Sequence, residues 1–226
     1  MTPIPTYFKE ETEMPVTPVD DRQTDYLALV RQGYDNCAAD YCAARSGDRE
    51  PALDWLLPLL APEDRALDIG CGGGVPVTRA LCQRCREVVG VDLSPAQLAI
   101  ARRQVPEARL LCGDFLELAI EGPFAAITCF YTLFHTRRDL HPAFLRKVKE
   151  LLAPGGYFLF SAAREDEPSY TEPDFFGTTM YWSNFAAATY RELLEEMGFS
   201  VLRSEEVLWG AGERHPFLLA RKDSDR

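Results

Sequence analysis

The sequence predicts an α/β fold built on one doubly wound sheet, and three observations lead to it. Five short apolar runs alternate with segments of helical periodicity, a glycine-rich turn follows the first run, and two extended runs close the chain. Apolar runs without polar alternation are typical of strands buried on both faces of a parallel sheet. The sheet is therefore expected to be mostly parallel, with helices on both faces and a C-terminal antiparallel hairpin strand.

The individual elements follow in chain order. Strands are predicted at RALDIG, EVVGVD, ARLLCGD, FAAITCF and YFLFSA. Helices are predicted at about 75–85, 95–104, 138–152 and 186–197, and the hairpin strands at about 200–208 and 216–222. Ser94 and Pro95 open the second helix, where Gln97 completes a capping-box pattern with Ser94. Helices that start directly after strand ends make the sheet Rossmann-like.

The length of 226 residues favours one domain with accessory segments. Residues 1–22, rich in Pro, Thr and acids, are expected to form a flexible N-terminal tail or a strap, and residues 23–226 a single domain. Residues 24–60 predict a helical lid, in which Gly33 divides the first helix. The aromatic stretch 164–185 predicts an irregular insertion on the substrate side.

Charge and cysteine content exclude several classes of partner. The chain has 24 Lys and Arg against 35 Asp and Glu, a net charge of −11, so we expect no nucleic-acid partner. No apolar run approaches the roughly 20 residues of a membrane span, and no signal pattern opens the chain, so we expect a cytoplasmic protein without a membrane partner, as a monomer or homodimer. Cys82 and Cys85 lack a second pair or nearby histidine, so no metal is expected.

The stretch ALDIGCGGG, residues 66–74, predicts a ligand site at the end of the first strand. Free N–H groups at a helix start attract anions, and glycines let a ligand lie against the main chain. The dinucleotide fingerprint needs a third glycine where Val75 stands, so the pattern is G-x-G-x-G. Asp92 ends the second strand, where a carboxylate could bind both hydroxyls of an adenosine ribose. Dinucleotides and other adenosine cofactors both remain open at this point.

Five motifs in order, ALDIGCGGG, VVGVDLSPAQL, LLCGDFLEL, FAAITCFYTLFH and LLAPGGYFLF, closely resemble those of class I S-adenosylmethionine-dependent methyltransferases, over about residues 34–222. The resemblance implies S-adenosyl-L-methionine as cofactor and S-adenosyl-L-homocysteine as product. It implies that Asp68, Gly70 and Gly72 line the methionine end, that Asp92 holds the ribose, and that Asp114 and Phe115 border the adenine. The remaining implied cofactor residues are Tyr34, Tyr41, Cys71, Leu93, Gln97 and Phe130.

Ordinary chemistry supports several of these roles. The carboxylate of Asp114 can accept from an exocyclic amine, and the tyrosine faces of Tyr34 and Tyr41 attract a sulfonium by about 0.5–2 kcal/mol. The spacing of seven between those tyrosines equally fits a packing stripe on one helix face. Asp92 and Asp114 could each instead cap the helix that follows them.

The acceptor site is predicted on loops beyond the strand ends. His135 is the candidate general base, although it could instead brace its loop through a backbone carbonyl. The candidate substrate residues are Tyr131, Phe134, Phe175, Tyr181 and Trp182, and their rings favour a small apolar or aromatic acceptor. The first hypothesis is therefore a small-molecule methyltransferase. The alternatives are a methyltransferase-like protein that binds the cofactor without transfer, as a cyclase or partner subunit, and an NAD-dependent oxidoreductase.

Overall fold

The computed structural model describes residues 16–45, 50–209 and 213–224. Its strands are β1 (Thr17–Pro18), β2 (Arg65–Ile69), β3 (Glu87–Asp92), β4 (Arg109–Cys112), β5 (Phe124–Cys129), β6 (Leu152–Ser161), β7 (Glu167–Phe175), β8 (Thr178–Asn184), β9 (Phe199–Trp209) and β10 (Glu213–Lys222). Its helices are α1 (Tyr26–Arg45), α2 (Leu53–Leu56), α3 (Val77–Cys82), α4 (Pro95–Gln104), α5 (His141–Leu151) and α6 (Ala187–Glu196). Short 3₁₀ turns occupy Leu57–Leu59, Leu133–His135 and Arg138–Leu140.

The main sheet has seven strands in the order β4-β3-β2-β5-β6-β10-β9. The strands from β4 to β6 run parallel, and β10 pairs antiparallel with both β6 and β9. The predicted mostly parallel sheet with a C-terminal hairpin is confirmed. The chain adds β3 on one side of β2 and β5 on the other, so the switch point lies at the carboxyl end of β2, where the glycine turn begins.

The first helix differs from the prediction, because α1 runs unbroken through Gly33. A side chain at Gly33 would place its Cβ 2.8 Å from Met180 Cε and 3.2 Å from the main-chain oxygen of Thr179. Gly33 therefore lets α1 approach β8 closely, and its cost in helix propensity is offset by packing. The prediction that Gly33 divides the helix is wrong.

The stretch 164–185 also differs from the prediction, because it is not irregular. β7 and β8 form an antiparallel hairpin, and β1 pairs with β7 to complete a three-stranded sheet. Phe176 and Gly177 join the strands with φ values of 52° and 76°, and two positive φ values are the signature of a tight type I′ hairpin turn. Sequence reasoning missed this turn because only its second residue is glycine.

Part of the predicted N-terminal segment, residues 1–15, lies outside the described residues. The part that follows is held against the hairpin. Asp21 accepts hydrogen bonds from Tyr181 Oη at 2.7 Å and from Ser169 Oγ at 2.7 Å. Together with the pairing of β1, these bonds fasten residues 17–21 to the three-stranded sheet.

Candidate active site

A cleft lies at the carboxyl ends of β2, β3 and β5, beneath α1. It brings together most of the residues that the sequence analysis selected. Those residues are Tyr34, Tyr41, Gly70, Gly72, Asp92, Leu93, Gln97, Asp114, Phe115, Phe130, Tyr131 and His135. Asp35 accepts from Ser94 Oγ at 2.6 Å, which ties α1 to the start of α4.

The glycine turn needs glycine for two physical reasons. Gly70, Gly72 and Gly74 have φ values of 72°, 53° and 86°, a region that L side chains rarely adopt. A Cβ on Gly70 would lie only 1.8 Å from Thr132 Oγ1 in the loop after β5. The turn is anchored to β3, because the N–H groups of Gly70 and Cys71 both donate to the oxygen of Val91, at 2.7 and 3.0 Å.

Asp92 presents its carboxylate to the cleft at the end of β3. Its two oxygens accept one main-chain N–H each, from Gly72 at 2.8 Å and from Ser94 at 2.8 Å. Burial raises the pKa of this carboxyl to about 6, despite the stabilising effect of those two bonds. Each oxygen keeps a second lone pair, so Asp92 can accept bonds from ligand hydroxyls while it holds the turn.

The far end of the cleft is lined by Asp114 and Phe115. Asp114 Oδ1 accepts from the N–H of Leu116 at 3.0 Å, so this acid does act locally as a cap. Phe115 packs on Phe144 with ring centroids 4.6 Å apart, and Lys147 Nζ lies 5.1 Å from its ring centroid. A half-buried carboxylate next to a fixed ring can bind one edge and one face of a flat heterocycle.

Asp68 lies deeper than the sequence analysis placed it. Both of its oxygens are occupied, by Thr78 Oγ1 at 2.6 Å and Thr128 Oγ1 at 2.8 Å. Asp68 lines a smaller cavity, which shares Tyr41, Gly70 and Phe130 with the wall of the cleft. Asp68 thus links β2, α3 and β5 beneath the turn.

Because burial raises the pKa of Asp68 to about 6, its ionisation should cost stability. The folded state then keeps the proton at a higher pH than the unfolded chain, so stability from this group is lost as pH rises from about 4 to about 6. We expect Asp68→Asn to raise the thermal midpoint relative to wild type above about pH 6 and not below about pH 4. Thr78→Ala removes a hydrogen bond to the Asp68 carboxylate and should therefore move the pH range in which stability is lost to higher pH. An effect of Asp68→Asn on the thermal midpoint that is equal at all pH values would contradict a raised pKa of Asp68.

Arg45 is a residue that sequence reasoning missed. It lies in the last turn of α1, lines the smaller cavity, and pairs with the buried Glu50 at 3.5 Å. Its guanidinium carbon lies 4.6 Å from the ring centroid of Tyr131. A single arginine at a helix end carries no motif, so only the tertiary structure could reveal that a cation stands at this end of the site.

His135 is held on both sides of its ring. Nδ1 lies 2.8 Å from the main-chain oxygen of Tyr181, so it carries the proton and donates to that carbonyl. Nε2 is then the acceptor for the hydroxyl of Tyr34, which lies 2.8 Å away. Burial lowers the pKa of His135 to about 4, so the ring is neutral near pH 7.

This geometry predicts the tautomer of His135. Imidazole nitrogen NMR on labelled protein should show Nδ1 protonated and Nε2 unprotonated down to about pH 5. In Tyr34→Phe the Nε2 signal should shift while the Nδ1 proton remains, because only the hydroxyl partner is lost. A ring doubly protonated near pH 6 would contradict the assignment.

Only some of the predicted acceptor residues lie together beside the cleft. Phe134 and Trp182 line a second cavity next to the cleft, together with Tyr131. Phe175 lies between Tyr34 and Trp182, with ring centroids 5.9 and 5.5 Å away. Tyr181 lines neither the cleft nor the second cavity, because its hydroxyl turns toward Asp21 inside the three-stranded sheet.

Cys71 lines the smaller cavity rather than the main cleft. Its N–H holds the turn, but its side chain points toward Gly90, where a Cβ would lie 2.9 Å from Cys71 Sγ. Gln97 is buried, with Oε1 3.0 Å from Cys42 Sγ and its N–H donating to Ser94 Oγ.

Within the ranges that the structure describes, no group of three or more His, Cys, Asp or Glu side chains is placed to hold a metal ion. Nor does any helix there have the length and apolarity to span a membrane.

Comparisons with known proteins agree with this geometry. Residues 66–156 match the family model described as a methyltransferase domain. The malonyl-[acyl-carrier protein] O-methyltransferase of Priestia megaterium is 37% identical over 141 residues, which are 59% of this chain and 50% of that protein. The ubiquinone biosynthesis O-methyltransferase of Pseudomonas aeruginosa is 32% identical over 112 residues, 47% of each chain. This chain therefore spans about half the length of the curated relatives it matches.

The structural comparison covers more of the chain. The 1,6-didemethyltoxoflavin-N1-methyltransferase of Burkholderia thailandensis, solved with bound 1,6-didemethyltoxoflavin and S-adenosylhomocysteine, is 25% identical with a TM-score of 0.71. The match covers 92% of this chain and 95% of that one. The magnesium protoporphyrin IX methyltransferase of Synechocystis, at 16% identity and a TM-score of 0.68, shares the fold. The chain thus has the fold of class I S-adenosylmethionine-dependent methyltransferases, and its residues 66–156 match a methyltransferase-domain model.

Proposed function

We propose that this protein transfers a methyl group from S-adenosyl-L-methionine to a small apolar or aromatic molecule, leaving S-adenosyl-L-homocysteine. The observation that carries the proposal is the cleft at the switch point, which is lined by the glycine-rich turn, the carboxylate of Asp92 and the Asp114–Phe115 pair. The raised pKa of Asp92 supports it, because a half-buried carboxylate that is costly to ionise is expected where a ligand supplies hydrogen-bond donors.

The residues present fit an adenosine cofactor along the length of the cleft. Asp114 and Phe115 would border the adenine, and Asp92 would accept from the ribose hydroxyls. Gly72 leaves room for a ligand to approach the main chain, because a Cβ there would meet only Gln97 Oε1, at 3.6 Å, whereas the space at Gly70 is filled by Thr132. At the other end the guanidinium of Arg45, which also pairs with Glu50, lines the smaller cavity and would donate hydrogen bonds to an α-carboxylate.

The cofactor would supply an electrophilic methyl group, and the protein's part is alignment and exclusion of water. The rings of Tyr34 and Tyr41 form an aromatic wall of the cleft, with centroids 5.2 Å apart, that favours a cationic sulfonium. Burial raises the pKa of Tyr34, so its hydroxyl stays protonated and continues to donate to His135. His135 is therefore oriented to accept a proton through Tyr34, and we retain it as the candidate general base of this cleft.

Separate observations bear on each alternative to this proposal. NAD binding is disfavoured because Val75 stands in place of the third glycine of the dinucleotide fingerprint. A protein that binds the cofactor without methyl transfer, such as a cyclase or partner subunit, would use the same wall of the cleft. A test of methyl transfer therefore separates this alternative from the proposal. The net charge of −11 favours a small molecule over nucleic acid as acceptor, and we propose a cytoplasmic monomer or homodimer.

The test of transfer is product mass. Purified protein is incubated with methyl-deuterated S-adenosylmethionine and a panel of flat aromatic phenols, acids and amines, and products are analysed by mass spectrometry. We expect a labelled methyl product from at least one member and S-adenosylhomocysteine in equal amount. Cofactor binding with no labelled product from any member of the panel would favour the binding-only alternative.

A further inference from the structure

The turn that follows β4 forms the far end of the cleft and carries Asp114 and Phe115. A side chain from another element, Lys147 of α5, contacts this turn through its ammonium group. We propose that Lys147 is a positioning residue, which holds the turn so that Asp114 and Phe115 select a purine with an exocyclic amine. The inference rests on the proposed cofactor and adds a residue that lies outside the five motifs of the methyltransferase resemblance.

The turn after β4 has hydrogen bonds at both of its ends. The main-chain oxygen of Asp114 accepts the N–H groups of Glu117 at 3.1 Å and Leu118 at 3.0 Å. At the other end, Lys147 Nζ donates to the main-chain oxygens of Leu116 at 2.9 Å and Leu118 at 2.7 Å. Carbonyl groups at the end of a helical turn have no partner within it, and a cation there complements their partial charge. Lys147 therefore closes the end of the turn that its own bonds leave open.

The same ammonium group also lies against the ring that borders the cleft. Lys147 Nζ is 5.1 Å from the ring centroid of Phe115, and a cation at this distance is attracted by the ring. Phe115 in turn packs on Phe144, which precedes Lys147 by three residues on the same face of α5. Phe115 and Phe144 both line the cleft. Lys147 thus restrains the ring of Phe115 as well as the main chain of the turn.

The electrostatic surroundings of Lys147 connect it to Asp114. Desolvation lowers the pKa of Lys147, and the carboxylate of Asp114 is the largest effect that opposes this lowering, followed by Glu117 and Glu150. These carboxylates and the two carbonyls compensate the ammonium group for the water that it loses on burial. One ammonium group therefore interacts with the main chain, the ring and the carboxylate of a single turn.

A carboxylate at this end of the cleft distinguishes purines by their 6-substituent. An exocyclic amine donates to the carboxylate, whereas a carbonyl oxygen at the same position would place two acceptors against each other. This preference depends on the exact position of the Asp114 carboxylate, since a small displacement removes a directed contact. Stacking on a ring such as Phe115 is shared by both kinds of purine. Loss of Lys147 should therefore reduce the preference for the amine more than it reduces purine binding.

The test compares S-adenosylhomocysteine with S-inosylhomocysteine, which carries a 6-oxo group in place of the amine, by calorimetry at pH 7. We expect wild type to bind the adenosine compound about 30-fold or more tightly. In Lys147→Met its affinity should fall about tenfold while that for the inosine compound changes less than about twofold. Lys147→Gln keeps an N–H donor on a side chain of similar length and should give an intermediate preference.

Lys149 provides a matched control on the same helix. Its Nζ also donates to a main-chain oxygen, that of Met197 at 2.6 Å, but it lines neither the cleft nor the smaller cavity. Lys149→Met should therefore lower the thermal midpoint, as Lys147→Met does, and leave the preference between the two ligands as in wild type. In Asp114→Asn the preference should already be small, and adding Lys147→Met should not reduce it further.

Three results would overturn the role of Lys147. They are an unchanged preference in Lys147→Met, the same loss of preference in Lys149→Met, and equal affinity of wild type for the two ligands. If Lys147→Met does not fold, Lys147→Gln takes its place in the comparison, and a wild-type preference in that variant has the same meaning. Failure of the proposed function gives a different result, because wild type would then bind neither ligand, and the cofactor assignment would fall together with the role of Lys147.

Discussion

Replacing Asp92 by Ala is expected to weaken binding of S-adenosylhomocysteine by about 100-fold or more, measured by calorimetry. Bonds from ligand hydroxyls to a carboxylate contribute about 1.5–3 kcal/mol each, and the variant removes the acceptor for two of them. It also removes the partner of the Gly72 N–H, which lies 2.8 Å from Oδ2 and orients the turn. Cofactor affinity and turn geometry therefore depend on the same side chain.

The pH dependence of this affinity provides a signature specific to Asp92. Because burial raises its pKa to about 6, wild-type affinity should fall as pH drops below about 6 and the carboxylate takes up a proton. In Asp92→Asn that step should be absent, with affinity low at every pH. His135→Gln is the matched control, since His135 makes its two bonds to protein groups and should bind the cofactor as wild type does. Unchanged binding in Asp92→Ala would remove the ribose assignment.

The second large effect is expected from Gly70→Ala, which should destabilise the fold by about 2–4 kcal/mol and abolish measurable cofactor binding. The added Cβ would lie 1.8 Å from Thr132 Oγ1 and 2.6 Å from Thr132 Cβ, a distance that no rotation of the threonine relieves. The turn or the loop after β5 has to move, and both line the cleft. Chemical denaturation and calorimetry measure the two effects.

Two variants separate the clash from simple backbone strain. Gly177 has a φ of 76°, but a Cβ there meets no atom within 4 Å, so Gly177→Ala should cost only about 1 kcal/mol and leave cofactor affinity unchanged. The double variant Gly70→Ala, Thr132→Gly removes the clashing side chain and should recover part of the binding. Wild-type affinity in Gly70→Ala alone would show that the turn does not need this close approach.

The sheet could be predicted because each of its strands has a recognisable pattern in the local sequence. In EVVGVD an unbroken apolar run lies between Glu87 and Asp92, and Ser94 with Pro95 signals the start of α4. The structure shows Ser94 Oγ accepting from the N–H of Gln97 at 3.1 Å. The elements that failed depend on distant partners. α1 continues through Gly33, where the close approach of Met180 leaves no space for a side chain, and no local pattern in α1 contains that information.

The candidate site also contains some residues whose position could be predicted from the sequence and others whose position could not. Gly70, Gly72 and Asp92 follow strand ends, and parallel strands bring their carboxyl ends to one edge, so sequence position alone predicts that they meet. Asp68 also lies near a strand end, but at its place on β2 its carboxylate points into the protein, where it accepts hydrogen bonds from Thr78 and Thr128. Arg45 ends α1 and His215 lies on β10, far apart in the chain, and their convergence around Tyr131 is a property of the tertiary structure.

The central claim is that the cleft is a binding site for S-adenosylmethionine, and parallel calorimetric titration with S-adenosylmethionine, S-adenosylhomocysteine and NAD tests it most directly. We expect both sulfur compounds to bind at one site per chain and NAD to give no heat, because Val75 stands in place of the third glycine of the dinucleotide fingerprint. Binding of NAD alone, or no binding of any of the three compounds by the folded protein, would contradict the account.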